Sequence, residues 1–119
     1  MSIATQVLAV LVALEFLFIF YLETIATTSA RTAKVFGMTQ EELARPSVST
    51  LFKNQGVYNA LIAVLVLIAV FAFHSTPALV CLMGYIVLVA AYGSVTSNPK
   101  IILMQGGLPI VTLIVALLS

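Results

Sequence analysis

The residues best suited to chemistry are two carboxylates inside the first long apolar stretch, Glu15 and Glu23. Ionisable groups within a bilayer are costly and usually functional, so each needs a partner or a purpose. On a helix the two lie about 12 Å apart along the axis and about 80° apart around it, which makes one face acidic. Either is a candidate catalytic group, acting as proton acceptor or as hydrogen-bond partner to a bound molecule. No Lys, Arg or His within the apolar stretches can reach Glu15, so an amide or a tyrosine is its expected partner.

The second group is the run Asn54-Gln55-Gly56-Val57-Tyr58-Asn59. On a helix Asn54, Gln55, Tyr58 and Asn59 cover a sector of about 140°, and Gly56 with Ala60 allows another helix to approach closely beside them. Tyr92 and Gln105 are expected at a similar depth. With Glu15 and Glu23, these six ligand-binding candidates predict one polar pocket opening toward the cytoplasm. The plainer reading is that Asn, Gln and Tyr only bond helices together, at about 0.6 kcal/mol each. Glu23 could likewise pair at the membrane edge with Arg31 or Lys34.

Elsewhere the inventory is thin. His74 has no neighbouring ligand with which to form a metal site. Cys81 lies in the run Leu79-Val80-Cys81-Leu82-Met83 and is expected as a small buried hydrophobe. There is no Gly-rich phosphate loop and no Ser-His-Asp set, so neither metal nor cofactor is expected.

The elements that must position these residues follow from composition. The chain has 119 residues, 62% hydrophobic and 8% charged, with net charge +1 and mean hydropathy +1.20. A soluble domain is about 25% charged. A soluble enzyme, a nucleic-acid binder, a disulfide-stapled domain and a disordered chain are therefore excluded. Apolar stretches at residues 3–26, 51–73, 77–92 and 101–118 predict a single all-α domain, an integral membrane four-helix bundle. A cleaved signal peptide fits the first stretch poorly, because no Lys or Arg precedes it and it is too long.

Local signals punctuate the helices. Gly37 suits a helix C-terminus with cations in the last turn, so the first helix is expected to run past the membrane. Thr39 and Glu42 form a capping box, predicting a short interfacial helix in the first connection that ends near Arg45-Pro46. Ser47 is the expected cap of the second long helix. Ser75-Thr76-Pro77 and Asn98-Pro99 each offer a cap followed by a proline, the former after a very tight turn. In Gly106-Gly107-Leu108-Pro109 the proline is expected to kink the fourth helix. Arg31, Lys34, Arg45 and Lys53 mark the first connection and Lys100 the third, which places both in the cytoplasm and both termini outside.

Glu15, the triplet Tyr21-Leu22-Glu23, Lys34-Val35-Phe36-Gly37 and Asn54-Gln55-Gly56-Val57-Tyr58-Asn59 together resemble an uncharacterised bacterial family of small four-helix membrane proteins, the domain of unknown function thirteen-oh-four. The resemblance covers essentially the whole chain and implies a bacterial cytoplasmic, or inner, membrane. A weaker, architectural resemblance is to the membrane-associated eicosanoid and glutathione metabolism proteins, through Lys34-Val35-Phe36-Gly37, Lys53-Asn54 and Tyr92 with Asn98-Pro99-Lys100. Val57 stands where those proteins carry a carboxylate, and the third helix has no arginine, so this likeness implies architecture rather than glutathione chemistry.

Three functions follow as expectations. The first is a pocket for a membrane lipid or other amphiphile, with or without catalysis. The second is a proton-coupled transporter using Glu15, similar to small multidrug exporters, though no tryptophan is present to stack on a cation. The third is an accessory structural subunit. A homo-oligomer, dimer or trimer, is expected because four short helices enclose little space.

Overall fold

The computed structural model describes residues 1–97 and 104–119, and among them all regular structure is helical. α1 (Ile3–Phe20) runs without a break into a π-helical turn, Tyr21–Ile25. Two short helices follow, α2 (Ala30–Phe36) and α3 (Gln40–Ala44). α4 (Pro46–Leu67) also ends in a π-helical turn, Ile68–Ala72. α5 (Thr76–Thr96) and α6 (Gly107–Leu118) complete the chain. Asn98, Pro99, Lys100 and the expected start of the fourth stretch at residue 101 lie outside the described residues.

Three of these helices are long and apolar enough to cross a membrane: Ile3–Ile25, Pro46–Ala72 and Thr76–Thr96. α6 has 12 described residues, about 18 Å at 1.5 Å per residue against a hydrocarbon core of about 30 Å. The helices leave Leu14, Phe18, Leu61, Leu65, Phe71 and Leu88 exposed on the single chain. Such a surface needs lipid or a partner to cover it.

The chain divides into two compact units, Met1–Ala13 with Val64–Ser119, and Leu14–Ala63. In the first, α5 packs on α6, and Leu79, Met83, Ile86 and Ala90 form the buried stripe of α5. Pro109, Thr112 and Ala116 form that of α6. Cys81 is exposed, which corrects the expectation of a buried thiol. It lies two residues from both Leu79 and Met83, about 200° around the helix from each. The turn into α5 is as tight as expected. Ser75 N–H donates to the Ala69 carbonyl at 2.9 Å, His74 takes φ 47°, and Ser75 accepts from Ala78 N–H.

Two further expectations are corrected. α1 does not run on to Gly37: Ser29 caps a separate α2, its side chain accepting from Thr32 N–H, and Gly37 closes that helix at φ 65°. α4 begins at Pro46, so Ser47 lies inside the helix. Proline's fixed φ suits a first helical position. Pro109 falls in the first turn of α6, just after an interruption of helix at Gln105 and Gly106, and its missing N–H has no partner to lose there. The capping box forms as read, with Thr39 and Glu42 satisfying each other's backbone groups.

Candidate functional site

Most buried positions of α1 follow steps of four and three, Thr5, Ala9, Val12, Phe16 and Ile19, continued by Glu23 in the π-helical turn, with Ala13 and Leu22 buried beside them. Those of α4 follow the same rhythm through Gly56, Asn59, Ala63, Val66 and Val70. This is the spacing of a helix-packing seam. Glu23 and Asn59 each stand where a hydrophobic residue would ordinarily pack. They are 4% and 7% exposed, and Asn59 Nδ2 donates to Glu23 Oε1 at 2.5 Å. A buried polar group is tolerable when it is bonded in this way.

Two neighbouring contacts set the approach of the helices. Thr24 Oγ1 donates to the backbone carbonyl of Lys53 at 2.9 Å. One turn along α4, a Cβ built on Gly56 would collide with Thr24 Oγ1 and lie 3.1 Å from Glu23 Cβ. Glycine is therefore required at this position for the helices to come close enough for Asn59 to reach the carboxyl. Gly56 lies three residues from both Lys53 and Asn59, beside each on the surface of α4.

The turn that carries Glu23 is itself unusual. Ala26 N–H donates to the Tyr21 carbonyl, five residues back, at 2.8 Å. Such wide turns recur at functional sites. Helix ends also leave carbonyls without backbone donors, and here threonines supply them. Thr27 Oγ1 donates to the Glu23 carbonyl at 2.7 Å. The fully buried Thr32 places its hydroxyl 2.7 Å from the Ala26 carbonyl and 3.1 Å from that of Leu22.

The remaining candidates fall elsewhere. Glu15 is half-buried, and its Oε1 has no hydrogen-bond partner among the described residues, so the expected amide or tyrosine is not supplied. Asn54, Gln55 and Tyr58 are exposed. On α4 Tyr58 lies about 100° from Asn59 and off the packed face, whereas Gln55 is only about 40° from Asn59 and is exposed all the same. Tyr92 is 72% exposed and Gln105 half-buried, both in the unit of Met1–Ala13 with Val64–Ser119. Among the candidates of the Leu14–Ala63 unit, the hydrogen bonds of the described residues join Glu23 and Asn59. Glu23 thus takes an amide partner, while the side chains of Arg31 and Lys34 are exposed. A cavity of about 290 Å³ is lined by Ile3, Gln6, Val7, Val10, Leu11 and Phe71, none of them a candidate. Among the described residues no cluster of His, Cys, Asp or Glu could hold a metal ion.

Thr24 and Thr32 escaped the sequence reading. Their signal was present in the hydroxyl-rich run Thr24 to Thr32 directly after an apolar span, where helix carbonyls need donors.

Fold and site together define a small all-α protein, with three helices apolar enough to cross a membrane, in which a carboxyl–amide pair replaces an apolar contact between two long helices. The family described as a protein of unknown function (DUF1304) matches residues 10–117, and the chain belongs to it. The chain is 56% identical over 115 residues, 96% of its length and 97% of the relative's, to the uncharacterized protein YpaA of Lactococcus lactis subsp. lactis (strain IL1403). No solved structure matches.

Proposed function

We propose that the protein is a four-span bundle of the bacterial cytoplasmic membrane, with both termini outside, that binds the polar end of an amphiphile at the Glu23–Asn59 centre. The buried, hydrogen-bonded Glu23–Asn59 pair, set in a π-helical turn, is the observation that carries this reading. A helix interface built only for packing would place apolar side chains at these two seam positions. A carboxyl bonded to an amide offers an acceptor and a donor to an entering hydroxyl, amine or phosphate group. The exposed Asn54, Gln55 and Tyr58 would line the approach, closed on the outside by a second or third copy of the chain, since hydrocarbon cannot solvate amides.

The test is mass spectrometry of small molecules retained by the purified protein, paired with thermal unfolding in their presence. Wild type should carry an amphiphile and melt higher when it is added back. Asn59→Leu should carry none and show no shift. Equal retention by the variant would overturn the reading.

A second reading, a proton-coupled transporter, is favoured by the unpartnered Oε1 of Glu15 in mid-helix. In proteoliposomes a pH gradient should then drive flux of a lipophilic cation, and Glu15→Gln should abolish it. Flux unchanged in Glu15→Gln, or absent from wild type, would reject it.

A further inference from the structure

The segment between α1 and α4 is a folded cap. Thr32, fully buried, is tied to the Ala26 carbonyl. The Phe36 ring meets Phe52 of α4 edge-on, with centroids 5.2 Å apart at 84°. Gln40 Nε2 donates to the Thr28 carbonyl at 3.0 Å, and Leu43 is wholly buried. These contacts hold α2 and α3 in place within this unit.

The cap exposes the cations Arg31, Lys34 and Arg45, and Lys53 is exposed beside it on α4. Arg31 and Lys34, three apart on α2, share a face. The Lys53 carbonyl accepts from Thr24, which sets Lys53 level with the last turn of the apolar helix Ile3–Ile25. At that level a lysine extends its ammonium into the headgroup region. The acids of the cap are Glu41 and Glu42, and the Glu42 carboxylate is engaged by the backbone N–H and hydroxyl of Thr39.

We infer that this cap is a binding surface for anionic phospholipid headgroups in the adjacent leaflet, with Arg31, Lys34 and Lys53 as the phosphate-facing cations and Arg45 adding to the field. The site goes beyond the proposed function and stands whether or not the Glu23–Asn59 centre binds anything. Each cation near an anionic surface adds about fivefold to association, and the attraction fades beyond about 10 Å at 0.1 M salt. Cations carried on a fixed cap would give preference for an anionic headgroup over a zwitterionic one of equal chain length.

The test uses the full chain in vesicles of mixed phosphatidylglycerol and phosphatidylcholine, with spin-labelled lipid of each headgroup reporting the protein-bound fraction. Wild type should prefer phosphatidylglycerol by about fivefold or more at low salt, and the preference should shrink as NaCl screens it. Arg31→Gln with Lys34→Gln should lose most of the preference, whereas Arg31→Lys with Lys34→Arg should keep it. If the first pair does not reconstitute, Arg45→Gln with Lys53→Gln provides the comparison. Equal association of both lipids with wild type would overturn the inference, as would an unchanged preference in both neutral pairs. Competition by inorganic phosphate beyond that of NaCl at equal ionic strength would assign the cations to free phosphate and overturn it too.

Discussion

Glu15 and Glu23 are eight residues apart on one helix, in similarly apolar surroundings, and the structure treats them differently. Glu23 lies on the packing seam and meets Asn59. Glu15 stands one residue before the seam position Phe16, and one of its buried oxygens has no partner. A shift of about 80° around the helix separates a satisfied carboxyl from an unsatisfied one. Register, more than depth or composition, decides which intramembrane acid is structural and which is left available.

Gly56 is where the comparison breaks most completely. Gly56→Val would drive a side chain into Thr24 and force the helices apart, leaving Glu23 as unpartnered as Glu15. Overpacking of this kind costs about 3 kcal/mol, which should appear as a large fall in the midpoint of unfolding in mixed detergent micelles. Folding at wild-type stability would show that close approach at Gly56 is dispensable.

Leucine substitutions sharpen the contrast by sign. Glu23→Leu strands the Asn59 amide and should destabilise by about 2 kcal/mol, because a buried donor loses its acceptor. Adding Asn59→Leu should recover most of that loss, since removing both partners can be nearly neutral. Glu15→Leu removes an unsatisfied group and should stabilise by about 1 kcal/mol. The same unfolding measurement checks all three variants. A destabilised Glu15→Leu would mean that Glu15 has a partner in the membrane, such as a second copy of the chain.

Much of this architecture was legible in the residues, because its signals are local. Thr39 and Glu42 cap each other within one turn, Gly37 closes α2, and Ser75 opens α5. Close approach at Gly56 was readable too, since a missing side chain is a property of one position. The choice of Asn59 from among Asn54, Gln55, Tyr58 and Asn59 was not readable. It depends on the register of α4 against α1, which no single helix encodes. Nor was the π-helical turn, whose added residue rotates Glu23 and is held by hydroxyls beyond the end of the apolar span.

Thr32→Val tests that hold at a smaller scale. Valine preserves the shape and removes the donor to the Ala26 carbonyl, costing about 1 kcal/mol. If the turn orients Glu23, the Asn59 side-chain amide resonances should shift in Thr32→Val. Unshifted resonances with the same loss of stability would confine Thr32 to anchoring α2.

The smallest effect is expected at the cap, where Glu42 offers an exposed carboxyl as a third case. The Thr39 backbone N–H, then the Thr39 hydroxyl, hold its pKa below the usual 4.5 by bonding the charged form. A folded-state value lowered in this way contributes stability that is present above the unfolded value and lost as pH falls through the folded one. The Thr39 amide resonance should therefore titrate with a midpoint below 4.5, with α3 fraying at more acid pH. Glu42→Gln retains an acceptor for the Thr39 amide, so its helix should persist while the titration disappears. A wild-type midpoint at or above 4.5 would show that the capping box does not bind the carboxylate in preference to the acid, and that only the seam distinguishes one carboxyl of this chain from another.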